Sequence, residues 1–229
     1  MKFSIWLEDW GSVVPALDGE LAIQDALSSL KPMQRRRLSY YSKLVLSSLF
    51  LLKGEQEKVN ADLVFASRHG DFHKTSELLA AIAQHELLSP TAFSLSVHNA
   101  AAGLYSIITK FTGAVNAISA GDESIFLAIL EASVRRQSKA LEAIYVVCAD
   151  QALPSNYSKF GHCNEQDHAI ALCFSGAQCG QQYTFERLPA ANKALPEQAP
   201  ALSFATFLRE GGSQIEIAAE KAIWRIVKQ

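Results

Sequence analysis

Apolar and polar positions follow two rhythms along this chain. "KFSIWLEDW", residues 2–10, reads as an opening strand, and "KPMQRRRLSYYSKLVLSSLFLLKG", residues 31–54, as a long helix with Pro32 near its start and Gly54 past its end. The order then repeats. "ADLVFAS" (61–67) is a strand and "FHKTSELLAAIAQHEL" (72–87) a helix; "AFSLSVHNAAAGLYSIITKF" (92–111) is a second apolar helix, "AVNAISA" (114–120) a strand and "DESIFLAILEASVRRQ" (122–137) a helix. "LEAIYVVCAD" (141–150) and "DHAIALCFSG" (167–176) are too short for helices and suit buried central strands. Alternation of this kind predicts an α/β layered fold. After "TFERL" (184–188), Pro189, Pro196 and Pro200 punctuate a stretch that reads as a linker, and "IEIAAEKAIWRIVK" (215–228) reads as a short helical tail. The expected organisation is a main domain over 1–188, a Pro-rich linker over 189–202 and a helical C-terminal tail over 203–229.

With 229 residues, 49% of them hydrophobic, the chain can bury a sizeable core. A formal net charge of -2 and a pI near 6.3 argue against a nucleic-acid partner, which calls for a basic face. The longest apolar runs, such as Leu44 to Leu52, fall well short of the roughly 20 residues that a membrane span needs. "MKFSIWLEDW" lacks the features of a secretory signal, so a cytoplasmic protein is expected. Cys148, Cys163, Cys173 and Cys179 show no C-x-x-C spacing, and neither a metal site nor a cofactor is expected.

Arg68-His69-Gly70, at the end of a predicted strand, poses a specific question, because a histidine phosphatase uses this tripeptide with the histidine as nucleophile. Two features speak against it. In that fold the tripeptide ends the first strand, whereas here a strand and a long helix precede it. The chemistry also needs a second histidine and further cations around the phosphate, and His98, His162 and His168 stand in no matching motif. A loop histidine bonded to Asp71 or to backbone accounts for His69.

The stretch "LSPTAFSLSVHNAAAGLYSIITKFTGAVNAISAGDES" resembles the β-ketoacyl synthases of the thiolase-like fold. There a Pro-bearing loop leads to a helix carrying an Asn and a Gly, then to a Gly-containing turn, a strand and an elbow with the catalytic cysteine. Pro90, Asn99, Gly103 and Gly113 keep that spacing, and "PMQRRRLS" is also reminiscent of the family. The resemblance spans roughly 1–188, essentially the N-terminal half of such an enzyme. Its pattern is most similar to the short chain-length factors encoded with bacterial aryl polyene pathways.

One departure carries the functional expectation. The cysteine position of the family falls on Asp122, and a carboxylate cannot form the thioester; a shift of register would bring Ser119 or Ser124 there, either of which would still need a base. At a helix N-terminus Asp122 can instead serve as an N-cap acceptor. The family's active-site histidines lie in a second half that is missing here. The resemblance therefore implies a non-catalytic subunit that forms a heterodimer with a full-length β-ketoacyl synthase and limits the length of its product. Ser119 as the nucleophile of a stand-alone acyltransferase or thioesterase is the rival reading, beside the phosphatase.

The resemblance also implies where the partner lies. Half of a duplicated fold leaves apolar helix faces to be covered, and the mean hydropathy of +0.07 agrees with additional buried surface. The family pairs the strand before the elbow across a two-fold axis, here roughly Ala114 to Ala120, so Asn99, Ala117, Ile118 and Ser119 are interface candidates; an ordinary central strand is the plain alternative. Phe72, Ser76 and Leu79, spaced i, i+4 and i+7, are candidates for closing the acyl tunnel, with plain core packing as the alternative. Arg35, Arg36 and Arg37 are candidates for docking an acidic acyl carrier protein, unless an internal Asp or Glu neutralises them, because cations at a helix start oppose the dipole.

Overall fold

The computed structural model describes residues 1–53, 60–139, 141–161, 164–176, 179–190 and 196–229. In chain order the elements are β1 (Lys2–Val13), α1 (Pro15–Asp18), α2 (Leu21–Ala26), α3 (Pro32–Arg37), α4 (Tyr40–Phe50), β2 (Ala61–Ala66), α5 (Phe72–Ala83), α6 (Pro90–Ser94) and α7 (Ala100–Thr109). There follow β3 (Val115–Ile118), α8 (Ser124–Ser138), β4 (Ala143–Asp150), a 3-10 turn (Ser155–Phe160), β5 (His168–Ser175), β6 (Gln181–Pro189), α9 (Pro200–Glu210), β7 (Gln214–Ala219) and β8 (Ala222–Lys228). The strands form one sheet in the order β3-β2-β4-β5-β1-β6-β8-β7. β2 runs parallel to β3 and β4, and the remaining pairs are antiparallel.

Period-two patterning sends alternate strand residues to opposite helix layers. Leu63, Phe65, Tyr145, Val147, Ala171 and Cys173 pack with α4 and α7 on one face. Val64, Ala66, Val146, Cys148, Ile170 and Leu172 pack with α8 and α9 on the other. Strands that are buried on both faces read as continuous apolar runs, which is why β4 and β5 were legible as central strands. Phe126 of α8 centres the second layer: it stacks on Trp224 at 4.9 Å and meets Phe185 and Phe204 at 6.4 and 6.2 Å. Truncating such a side chain costs roughly 3 to 5 kcal/mol.

Several expectations need correction. The helix expected over 31–54 is broken after α3: Leu38 is extended and Ser39 starts α4 by accepting the Ser42 N–H at 3.1 Å. Gly54 lies outside the described residues. The apolar run 92–111 is likewise divided between α6 and α7. The tail is not helical: Gly211, at φ +69, ends α9, and β7 and β8 follow as strands. Ala222, Trp224 and Ile226 are buried and Ile223, Arg225 and Val227 less so, a period of two that the helix-forming "AAEKA" obscures. Pro196 and Pro200 are buried, Pro200 opens α9, and β8 pairs with β6, so the chain beyond the expected linker continues the main sheet. The described C-terminal elements thereby complete the layer around α8.

Candidate functional site

The C-terminal ends of β2 and β3 meet the start of α8 at Ser119-Ala120-Gly121-Asp122-Glu123. Gly121 takes φ +59, a left-handed conformation that a glycine adopts without strain, and the turn directs Asp122 into the protein. Arg68 reaches it from the end of β2. Its Nη1 lies 3.4 Å from Asp122 Oδ1, and Nη2 pairs with Glu165 Oε1. Burial opposes the guanidinium charge, but Asp150, Glu165 and Asp122 together hold Arg68 above its usual range. Asp150 Oδ1 fixes the loop backbone by accepting the Ser67 hydroxyl and the Arg68 N–H, both at 2.8 Å. His98 Nε2 lies 3.0 Å from the Ser67 carbonyl.

This arrangement leaves little room for chemistry. The cavity shared by Arg68, Asp122, Cys148 and His168 measures about 10 Å3, about enough for one water. Ser119 Oγ donates to the Arg68 carbonyl at 2.9 Å, and Ser124 Oγ donates to the Gly121 carbonyl at 2.6 Å, so neither hydroxyl faces a base. Burial, with Asp150 adding to it, raises the Cys148 thiol well above its usual range, which makes it a poor nucleophile.

Several candidates change role. Asp122 was expected as an N-cap acceptor, but Glu123 holds the N-cap position and Asp122 meets Arg68. Glu123 accepts Arg187 Nε at 2.6 Å, Arg187 Nη2 at 2.9 Å and the Trp224 indole N–H at 3.0 Å. The phosphatase reading fails because Arg68 is committed to carboxylates rather than open to phosphate. His69 was expected to bond Asp71 or backbone; Asp71 Oδ1 instead caps α5 through the Lys74 N–H, and His69 lies against Phe72 at 5.9 Å. Burial and the Arg68 charge hold the His69 imidazole below its usual pKa. Among the described residues no three His, Cys, Asp or Glu side chains gather for a metal ion; His162 and Cys163 lie outside those residues.

The interface and tunnel candidates occupy a different surface. β3 is an edge strand with Val115 and Ala117 exposed, which overturns the central-strand alternative; Ile118 packs toward the core behind α8. Asn99 is exposed before α7 and makes no capping bond. α5 has no buried residue, so plain core packing does not describe it. Leu79 is 47% exposed, Phe93 60%, Ile107 76% and Leu87 fully so, which concentrates bare apolar surface on the consecutive elements α5 to β3. Phe72 turns instead toward Tyr157, edge-on at 4.9 Å, a contact with no sequence signal because the start of α5 and the 3-10 turn that it joins lie far apart in the chain. Ser76 is half-buried between them in sequence.

Arg35, Arg36 and Arg37 fall in the last turn of the short α3, not at a helix start, so the dipole favours them. Among the described residues none has an ion-pair partner, contrary to the internal carboxylate considered for them. Arg35 and Arg36 join Lys43 at the rim of a cavity of about 340 Å3 floored by Ile23 and Leu27, and Arg37 does not line it.

Residues 9–225 match the family model described as the N-terminal domain of β-ketoacyl synthases. No curated protein matches the chain in sequence. Among solved structures it resembles the ketosynthase ApeO in complex with its chain length factor ApeC from Xenorhabdus doucetiae, with a TM-score of 0.82 and 22% identity over 98% of this chain and 99% of that one. It also resembles the ishigamide ketosynthase/chain length factor, with a TM-score of 0.64 and 11% identity over 91% of this chain and 73% of that one. A β-ketoacyl synthase from Burkholderia phymatum STM815 gives 0.62 and 10%, over 91% of this chain and 69% of that one. The fold is thiolase-like.

Proposed function

Because the chain belongs to the family of β-ketoacyl synthase N-terminal domains, we propose that it is a non-catalytic chain-length factor. In this role it pairs with a full-length β-ketoacyl synthase, bounds that enzyme's acyl tunnel and limits product length in aryl polyene synthesis in the cytoplasm. The observation that carries the reading is the Arg68–Asp122 pair. On the register of the resemblance Asp122 takes the nucleophile's position, and its ion pair with Arg68 in a filled pocket supports a fold kept without the condensing chemistry. The Xenorhabdus chain, matched over 99% of its length, comes from a complex of a ketosynthase with its chain length factor, which supports the pairing.

The partner covers the bare surface from α5 to β3. Val115 and Ala117 offer an open strand edge, Asn99 and Ser119 border it, and Ile118 supports it from the core side. Leu79 and Ser76 reach the partner's tunnel from α5, while Phe72, held by Tyr157, sets the position of that helix end. The rim of Arg35, Arg36 and Lys43 attracts the acidic acyl carrier protein that delivers the chain.

Co-expression with a full-length β-ketoacyl synthase, gel filtration and mass spectrometry of products test the reading. A heterodimer is expected, with acyl groups only on the partner. Leu79→Ala should lengthen the polyene and Ser76→Phe shorten it in intact complexes. An acyl adduct on Ser119, or a stable monomer that ignores the ketosynthase, would overturn it.

A further inference from the structure

A cavity of about 630 Å3 lies between the start of α4, the start of α5 and the loop after β4, and none of the residues that the chain-length reading names lines it. Its volume is typical of small-molecule sites, which run about 300–1,000 Å3. Asp71, Glu77 and Asp167 line it, with Lys74 as the cation among them. Asp167 is already committed: it accepts the Ala152 N–H at 2.9 Å and holds the Tyr40 hydroxyl. Burial and then Asp167 push the Tyr40 phenol up to about 12, so it stays a donor at neutral pH.

Asp71 is different. It is 6% exposed, and while Oδ1 caps α5, Oδ2 is buried with no hydrogen-bond partner among the described residues. Gln151 Oε1, also on the cavity wall, is buried and unpartnered in the same way. A buried acceptor without a donor is a costly state, and among the described residues neither Lys74 nor the Tyr40 hydroxyl, both on this wall, reaches these two oxygens. Both oxygens are acceptors, which an organic cation carrying several N–H donors can satisfy.

We infer that this cavity binds a guanidinium or primary ammonium group, whose N–H donors satisfy Asp71 Oδ2 and Gln151 Oε1 while Glu77 covers the charge. A guanidinium fits best, since its planar fork matches a carboxylate at two points. The group belongs to a free amine or to an arginine side chain of a protein partner, and the site recognises both by the same chemistry.

Agmatine, titrated calorimetrically into the full chain at low salt, is the probe. Saturable one-to-one binding that weakens with salt is expected, and 1-pentanol, of similar length and uncharged, should not bind. Asp71→Asn keeps the helix cap and removes the charge, and should weaken agmatine at least tenfold; the exposed Glu77→Gln should weaken it severalfold. If agmatine releases the ketosynthase from the complex, the natural cation is a partner's arginine; if it binds the complex and the free chain equally, the cation is a free amine. No saturable binding, or undiminished affinity in folded Asp71→Asn and Glu77→Gln proteins, overturns the inference.

Discussion

Trp224, on the last strand, donates its indole N–H to Glu123 Oε2 at 3.0 Å and so ties the C-terminal strands to the elbow turn. Arg187 of β6 completes the clamp on the same carboxylate. The two bonds and the stacking of Trp224 on Phe126 make the C-terminal hairpin part of the architecture that holds the elbow.

The clamp should be visible in acid. The Arg187 hydrogen bonds, and after them the Trp224 bond, outweigh burial and hold Glu123 below the ordinary glutamate value of 4.5. A depressed carboxylate contributes stability that is complete above 4.5 and is lost as pH falls through the lower folded value. Glu123→Gln should therefore flatten the pH dependence of urea unfolding in that window and cost about 1 to 3 kcal/mol at neutral pH. Trp224→Phe, which keeps a ring against Phe126, should cost less.

Arg68→Ala should be among the most damaging single changes near the elbow. Side chains of Arg68, Asp122 and Glu165 are 11%, 5% and 12% exposed, so removing the cation strands buried carboxylates. The expected loss is about 3 to 5 kcal/mol by chemical denaturation. Asp122→Asn, which leaves Arg68 its Glu165 partner, should cost less, and Asp122→Cys should gain no acyl-enzyme by mass spectrometry, because Arg68 still fills the pocket.

Polar replacement of the bare apolar side chains should separate folding from assembly. Leu87→Gln and Ile107→Gln should leave the unfolding midpoint of the isolated chain within about 0.5 kcal/mol, as exposed positions do. Both should reduce its aggregation in light scattering and weaken the heterodimer in gel filtration. Val115→Lys should abolish the heterodimer at similar stability. Ile118→Lys is a poorer test, because Ile118 contacts the core as well as the edge.

Gly113→Ala should unseat the edge strand from within. A β-carbon at Gly113 would lie 1.8 Å from the Ala61 carbonyl oxygen, a distance that only backbone movement relieves. That movement pulls on the Leu63 N–H bond to the Ala114 carbonyl, 2.9 Å long, which helps seat β3 on β2. Hydrogen exchange should show faster exchange at Leu63 and Phe65 than in the unaltered chain.

Strands with buried residues on both faces were legible, because β2, β4 and β5 carry polar residues only near their ends, at Asp62, Asp150, His168 and Ser175. The turn around Asp122 was also readable, since the strand, glycine turn and helix around it follow local rules. The partner of Asp122 was not: Arg68 lies 54 positions away and its own tripeptide suggested another chemistry. The tail was misread because Glu220 and Lys221 favour helix locally, and only pairing with β6 shows that Trp224 belongs to a strand. Exposure of α5 could not be inferred either, because the helical periodicity of Phe72, Ser76 and Leu79 is the same whether core or partner covers it.

The two ends of the sheet differ in what they allow. β3 ends it with small, uncharged Val115 and Ala117 on the exposed side, whereas β7 ends it with Gln214 and Glu216 exposed and Glu216 engaged by Arg225. Charge on an outer strand discourages edge-to-edge addition. On the proposed reading, a subunit with one open and one guarded end joins a single neighbour and stops, so the expected assembly is a pair instead of a fibre.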